Sequence, residues 1–311
     1  MPTPALGLRR SETLEGSLRR VVMERLDVVS LRLTLESEPE ALGRAVHLAR
    51  RTLKKIRALL RLIASGEGGP AVAAPLIDLR DAGRALAPLR DADVLVTIVR
   101  ASAAGLPASH DRESLANLEG IFVARRESVL DARNDVMLAT AVRHTDAARR
   151  AVEAWTPCAT DFDLIRAGIG DWYGRGRIAM AAACGGTKAE VFHRWRKRTK
   201  DVRHQLEFLA PVASELVAAT DDIHRLTDLL GDANDLDHLE AAARSLDPAG
   251  FNAADPAFLF LADQRRSLWG AACSLGQELF AEESDGYTSR LECHWESWIA
   301  EEAESANVGQ G

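Results

Sequence analysis

The strongest constraint on the fold of this chain is a basic segment that occurs twice. AVHLARRTLKKIRALLRL, at 45–62, contains six Lys or Arg residues and no acid. VFHRWRKRTKDVRHQLEFL, at 191–209, aligns with it without a gap when His47 is set on His193. The further matches are Arg50 with Arg196, Arg51 with Lys197, Lys54 with Lys200, Ile56 with Val202, Arg57 with Arg203 and Leu60 with Leu206. A repeat at about half the chain length predicts two copies of one structural unit.

A second correspondence lies downstream of each basic segment, where LRDADVLV at 89–96 aligns with LGDANDLD at 230–237. The aligned polar residues are Asp91 with Asp232 and Asp93 with Asn234. The repeat therefore covers more than one structural element. We expect these polar side chains to hold arginines or helix ends rather than to contact a ligand.

Hydrophobic periodicity predicts an all-α fold. Apolar residues recur at three- and four-residue steps, and short alternating runs typical of strands are few. Segments rich in Gly, Pro, Ser or Asp interrupt this pattern at 36–41, 64–75, 101–111, 154–163, 183–188, 210–215 and 246–257. They leave about eight helices, and the break at 154–163 divides them into two groups of about four, the size of a bundle each.

Composition sets further bounds. The 311 residues are 47% hydrophobic, enough for a sizeable core. The four cysteines, Cys158, Cys184, Cys273 and Cys293, form no Cys-x-x-Cys pair, which predicts ordinary packing in a reducing compartment and no structural zinc. The N-terminus resembles no signal peptide, and no run of eighteen apolar residues occurs. We therefore expect a cytoplasmic protein without a membrane partner.

The two basic segments predict local anion binding in a chain whose net charge is -7. At about 100° per residue, the cations of each segment share one helix face, and the apolar residues occupy the opposite face. The apolar positions are Ala49, Leu53, Ile56, Leu60 and Ile63, then Trp195, Thr199, Val202, Leu206 and Leu209. A single Lys/Arg run is usually a solvated face. Here the same positions carry cations twice, each time headed by His, although like charges at this spacing repel.

The two basic segments resemble the two halves of a CHAD domain, the conserved histidine α-helical domain. The resemblance extends to LRDADVL, to LTDLLGDANDL and to YGRGRIAMA at 173–181. It implies two pseudo-symmetric four-helix bundles that form one domain, 10–300, around a basic central groove or pore. The two repeats would span about 10–155 and 156–300, and we expect disordered tails at 1–9 and 301–311.

The resemblance also implies binding of inorganic polyphosphate. The residues expected to bind form a first basic stripe, His47, Arg50, Arg51, Lys54 and Arg57, and a second basic stripe, His193, Arg196, Lys197, Lys200 and Arg203. Possible peripheral contacts are Arg61, Arg175, Arg177 and His204. Glu207 takes the place of Arg61 in the second copy, and we expect it to orient Arg203 by an ion pair. Guanidinium groups suit phosphate oxygens, while Lys supplies charge with less geometric demand.

Two other functions compete with this interpretation. Nucleic-acid binding is disfavoured because base reading or single-strand binding normally needs exposed aromatic side chains beside the charges, and because an acidic protein would repel a wide duplex. A metal- or phosphate-dependent hydrolase is disfavoured because only one Glu-x-x-His pair, Glu190 and His193, is present beside an Asp235 and His238 pair, and no Glu-x-Glu-x-Lys motif occurs. The sequence thus predicts a non-catalytic protein without cofactor or metal. It leaves open the polyphosphate chain length, an association with polyphosphate granules, protein partners and the oligomeric state.

Overall fold

The computed structural model describes residues 7–35, 39–66, 69–131, 134–157 and 159–308. Within these ranges the protein is all-α, as predicted, and contains no strand. The helices are α1 (Leu14–Leu35), α2 (Pro39–Ala64), α3 (Gly69–Ala85), α4 (Ala87–Gly105), α5 (Glu113–Asp131), α6 (Asn134–Glu153), α7 (Asp163–Cys184), α8 (Ala189–Leu209), α9 (Ser214–Leu246), α10 (Pro256–Leu279) and α11 (Ser284–Val308), with a short 3-10 helix at Ala210–Val212.

Each predicted break contains a helix end, but eleven α-helices replace the expected eight in the described ranges. The additional boundaries separate α3 from α4, α5 from α6 and α10 from α11. The first of these follows from Pro88, which lies in the first turn of α4. Proline lacks the N–H that a continuous helix would use and disfavours helical geometry in the preceding residue.

The helices pack as two groups of four. In the first group, contacts run in a cycle from α1 to α2, α3, α6 and back to α1. In the second group, they run from α7 to α8, α9, α10 and back to α7. The remaining helices pair α4 with α5 and place α11 against α7. A pseudo-two-fold axis between the two groups stays a prediction.

The apolar faces predicted for α2 and α8 are buried. On α2, Leu53 and Ile56 are at most 1% exposed, and on α8 Trp195 and Thr199 are fully buried. The two groups meet closely, because a Cβ atom at Gly168 of α7 would lie 1.9 Å from the Leu62 carbonyl oxygen of α2. A second, smaller apolar cluster joins α4 and α5 to α9 and α10. The two halves are therefore connected at two separate places.

The cysteine prediction is wrong for two residues. Cys184, at the end of α7, forms a disulfide with Cys273 of α10, and their Cα atoms are 5.7 Å apart. This Cα separation is ordinary for a disulfide. Cys293 is free and exposed, and Cys158 lies outside the described residues. The pair could not be read from the sequence because its partners belong to helices that meet only in the folded bundle.

Both segments that were expected to be disordered tails contain ordered residues. Leu8, assigned to a tail, is 6% exposed, and its N–H donates to the Phe208 carbonyl oxygen at 3.2 Å. An apolar side chain gains by this burial, which holds the N-terminal segment against the core. Helix α11 continues to Val308. The rest of the predicted tails, 1–6 and 309–311, lies outside the described residues. No helix in the described part of the chain is long and apolar enough to span a membrane.

Candidate anion-binding site

Four helices from the two halves form a closed ring of contacts. Helix α2 contacts α8, α8 contacts α9, α9 contacts α4, and α4 contacts α2. Helices packed in this way usually enclose apolar side chains. Here α2 and α8 instead bring their basic stripes together, and α4 adds Arg90. We call the residues whose charges interact the basic cluster: Arg50, Lys54, Arg90, Arg196, Lys200 and Arg203.

Lys54 and Lys200 lie at the meeting point of the two stripes. Loss of hydration lowers the pKa of Lys200 to about 7, and repulsion from Arg196, Lys54 and Arg203 contributes. Loss of hydration also lowers the pKa of Lys54 to about 8, with repulsion from Arg50 and Arg196. Lys54 as a whole nevertheless remains exposed to solvent. The two repeats thus place amines close enough to repel each other.

Buried guanidinium groups add unused donors. Nε of Arg57 and Nε of Arg196 are buried and have no hydrogen-bond partner among the described residues. Burial lowers the pKa of Arg196, against the attraction of Asp235. Arg50 is better satisfied, since it donates to the Gly83 carbonyl oxygen and lies 3.9 Å from Asp91. An unsatisfied buried donor costs free energy, so Arg57 and Arg196 mark positions where an acceptor would be favourable.

The two histidines that head the stripes both have lowered pKa values. Loss of hydration, followed by repulsion from Arg90 and Arg51, lowers the pKa of exposed His47. Loss of hydration also lowers the pKa of His193, although a hydrogen bond to Asn234 opposes the change. Nδ1 of His193 lies 2.5 Å from Oδ1 of Asn234, so Nδ1–H donates to the amide oxygen. A bound anion would favour the protonated form of both rings.

Glu207 holds the second stripe in place, as the sequence predicted. Nε of Arg203 donates to Glu207 at 2.9 Å. The same carboxylate accepts from Lys55 of α2 at 3.2 Å and from His224 of α9 at 2.8 Å. Burial alone would raise the pKa of Glu207, but the hydrogen bonds and charges of His204, Lys55 and Arg203 lower it. Arg203 therefore presents its guanidinium group from a fixed position.

All four residues expected at the periphery are engaged in contacts of their own, and three of them are at most partly exposed. His204 is only 7% exposed, and its Nδ1 bonds Glu207 at 3.0 Å. Loss of hydration lowers the pKa of His204 to about 4. The His204 side chain lies in the packed interface, because it is one residue further along α8 than Arg203 and so points in a different direction. Arg61 pairs with Asp201 at 2.6 Å. Arg177 pairs with Glu283.

The fourth peripheral residue, Arg175, is exposed but also paired. It lies 2.8 Å from Asp171, and its guanidinium carbon is 4.8 Å from the ring centroid of Trp172. Arg51 and Lys197, by contrast, are exposed members of the two stripes.

Sequence reasoning missed Arg90 of α4. Burial lowers the pKa of Arg90. The negative charge of Asp93 opposes this shift, and repulsion from Arg50 adds to it. The LRDADVL motif contains Arg90 and could have shown it, but only its acids were considered. Those acids do contact arginines: Asp91 lies 3.9 Å from Arg50, and Asp93 lies 3.3 Å from Arg126. Asp232 instead lies near Asp228 and Asp235, and burial together with these acids raises its pKa.

A cavity of about 740 Å³ opens beside His193, between α8, α9 and α10. Its walls carry mixed charge, including Glu190 and His238, and Arg265 is already paired with Asp237 and Glu240, each at 2.8 Å. Across the described ranges, no three His, Cys, Asp or Glu side chains are grouped to hold a metal ion.

The fold and the site define an all-α protein in which two histidine-headed basic helices, one from each repeat, meet at one place. The family model of the CHAD domain matches residues 30–244, and the chain belongs to the CHAD domain family. A comparison with curated proteins finds no match.

Two solved structures are similar to this chain. One is the crystal structure of the CHAD domain from the plant Ricinus communis, with 19% identity, a TM-score of 0.58 and coverage of 87% of this chain and 96% of that one. The other is PptA from Streptomyces chartreusis, with 16% identity, a TM-score of 0.55 and coverage of 87% and 100%. At these identities the likeness supports the fold.

Proposed function

We propose that this protein binds inorganic polyphosphate at the basic cluster and carries out no chemical step on it. The observation that supports this most directly is the convergence of Lys54 and Lys200, one from each repeat, with lowered pKa values. Cations that are held together and partly dehydrated gain free energy when an anion neutralises them. A polyanion satisfies several of them at once, whereas a single phosphate would leave most unpaired.

The shape of the basic surface favours a linear polymer. Each stripe occupies about three turns of one helix, about 15 Å along its axis. Polyphosphate offers oxygens of one kind along its whole length, and these can accept hydrogen bonds from the guanidinium groups of the stripes. The net charge of -7 would repel a polyanion elsewhere on the chain, so binding would be confined to this site.

The aromatic side chains near the stripes favour polyphosphate over nucleic acid. Trp195 is fully buried and Trp172 is 6% exposed, so neither offers a free face for stacking a base. We also propose that the protein associates with polyphosphate granules, where a linear ligand of this kind accumulates.

A competition titration tests the proposed function. Long polyphosphate, tripolyphosphate, single-stranded RNA and duplex DNA would be compared at physiological salt. We expect long polyphosphate to bind most tightly and tripolyphosphate to bind more weakly. Equal affinity for RNA or duplex DNA would contradict the proposal, and so would release of orthophosphate from polyphosphate in the presence of Mg²⁺.

Arg90 provides a test of the site as the structure builds it. Replacing Arg90 by Gln should weaken polyphosphate binding and lower the slope of log affinity against log salt by about one unit, because one fewer counterion is released. Arg100→Gln is the matched control, since Arg100 lies on the same helix but is exposed and paired with Glu119 at 2.7 Å. If the slope were unchanged in the Arg90 variant, we would conclude that Arg90 does not belong to the binding site.

The histidines predict a pH effect below neutrality. Their pKa values in the free protein lie below the usual value, and a bound anion would raise them. The affinity they add is therefore fully present below the free-protein pKa and is lost as pH rises through the ligand-bound pKa. Replacing His47 and His193 together by Gln should flatten the acidic part of the pH profile and leave substantial binding.

The control for the histidine experiment is His144→Gln, because His144 pairs with Asp78 at 2.8 Å on helices outside the ring. The acidic profile of this variant should match that of the parent. If the double His variant also matched the parent, the two histidines would not contact the ligand.

A further inference from the structure

Helices α2 and α8 cross through a set of polar contacts that lies beside the basic cluster and shares Glu207 with Arg203. Three contacts hold the crossing: Lys55 Nζ to Glu207 Oε2 at 3.2 Å, Gln205 Nε2 to the Ala58 carbonyl oxygen at 3.3 Å, and Arg61 Nη1 to Asp201 Oδ1 at 2.6 Å. Residue numbers rise on α2 as they fall on α8, so the two helices run antiparallel here.

Both ion pairs of the crossing are largely shielded from water. The side chains of Lys55 and Glu207 are 16% and 12% exposed, and those of Arg61 and Asp201 are 21% and 10% exposed. At this depth an ion pair requires its partner, because removal or reversal of one charge leaves the other without compensation. The identity of the charges therefore restricts which helix can occupy this place.

The repeat shows what is unusual about these charges. The alignment that sets His47 on His193 also sets Lys55 on Asp201 and Arg61 on Glu207. Positions of the basic stripes carry the same sign in both copies. Positions of the crossing carry opposite signs, with two cations on α2 and two acids on α8.

We infer that the crossing face of α2 is built to pair with α8 of the same chain and to reject a second copy of itself. An antiparallel pair of two α2 helices would set Lys55 against Arg61 twice. A pair of two α8 helices would set Asp201 against Glu207 twice. Only the pairing of α2 with α8 satisfies both charges, so the sign difference favours this pairing over a pair of two α2 helices or of two α8 helices.

The side-chain sizes at the middle of the crossing favour the same pairing of α2 with α8 as the charges do. The residue midway between Lys55 and Arg61 is Ala58, and the residue midway between Asp201 and Glu207 is His204. Ala58 is fully buried and His204 is 7% exposed. A small side chain on one helix and a large one on the other suit a mixed crossing. Two copies of α8 would bring two buried imidazole rings to the same point.

The crossing also determines which cations of α2 remain for a ligand. Lys55 and Arg61 are used by the acids of α8, and Lys54 is left to meet Lys200. Arg61 therefore selects the partner helix and does not belong to the ligand site. This inference is independent of the proposed ligand.

Charge reversal in the full-length chain tests the inference. Arg61→Asp and Asp201→Arg should each lower the thermal midpoint by at least about 5 °C, because each sets like charges together in a buried place. Each single variant also makes two copies of the same helix complementary to each other. In Arg61→Asp, Lys55 of one chain can pair with residue 61 of a second chain. In Asp201→Arg, residue 201 of one chain can pair with Glu207 of a second chain. We therefore expect the single variants to form dimers at high concentration in sedimentation experiments.

The double variant Arg61→Asp/Asp201→Arg restores an opposite-charge pair within the chain. It should be more stable than either single variant and monomeric with respect to this interface. Arg225→Asp is the matched control, because its pair with Asp222 is exposed and contributes little. A double variant no more stable than the weaker single variant would overturn the inference. Single variants that lose stability but never dimerise would overturn the role of these charges in partner choice.

Discussion

Replacing Arg50 and Lys54 together by Glu is expected to reduce the affinity for long polyphosphate at least about a hundredfold, and replacing Arg196 and Lys200 by Glu should do the same. A hydrogen bond between charged groups contributes about 1.5–3 kcal/mol, so the loss of two accounts for this factor before repulsion is counted. Each double replacement also places two new negative charges beside the polymer.

The reason that either stripe alone should be sensitive is that the two stripes share one cluster. Lys54 interacts with Arg196 across the boundary between the repeats, and Lys200 interacts with Lys54. A polymer neutralising one stripe therefore lies within reach of the other. Independent stripes would lose only part of the binding when one of them is reversed.

Affinity would be measured by titration at fixed salt, with thermal unfolding recorded for each variant to confirm folding. The matched control is Arg225→Glu with Arg290→Glu, which changes the net charge by the same amount at exposed positions. This control should bind nearly as the parent does. If charge reversal in one stripe left the affinity unchanged while reversal in the other abolished binding, the prediction of a site shared by both stripes would be wrong.

The repeat explains how much of this site could be predicted from the sequence. Aligning His47 with His193 predicted the basic stripes. The same residue types occur on the same helix face in both copies, which indicates that the two faces have a similar environment. The same periodicity predicted the buried faces around Ile56 and Trp195, which the structure confirms. These features depend on the geometry of one helix at a time, and sequence spacing determines that geometry.

Features that depend on how helices meet were not predictable. Arg61 follows Arg57 by one helical turn and so looked like a further member of the stripe, yet α8 supplies Asp201 for it. Arg90 lies far from both stripes in the sequence and reaches them only because α4 packs against α2 and α9. The disulfide between Cys184 and Cys273 likewise depends on the packing of α7 and α10.

A second large effect is expected from the lysines of the basic cluster, above neutral pH. In the free protein Lys200 has a pKa of about 7 and Lys54 of about 8, because both are partly dehydrated beside other cations. A bound polyanion supplies the missing negative charge and raises both values. Binding above neutral pH must then be accompanied by proton uptake.

The direction of the pH effect follows from this linkage. The contribution of the two lysines to the affinity is at its full value below the free-protein pKa of Lys200, about 7, and falls as pH rises towards their ligand-bound pKa values. Each lysine that is neutral in the free protein and charged in the complex should lower the affinity by about tenfold per pH unit.

Calorimetric titration at about pH 8 in two buffers of different ionisation enthalpy would measure the protons taken up, which should lie between about one and two per site. Replacing both Lys54 and Lys200 by Arg keeps the positive charge but moves its deprotonation far above this range. The Arg variant should bind polyphosphate with an affinity that stays nearly constant between about pH 7 and pH 9, while that of the parent falls. A parent whose affinity is constant over this interval, or an Arg variant that keeps the parent's decline, would show that these two amines do not face the polymer.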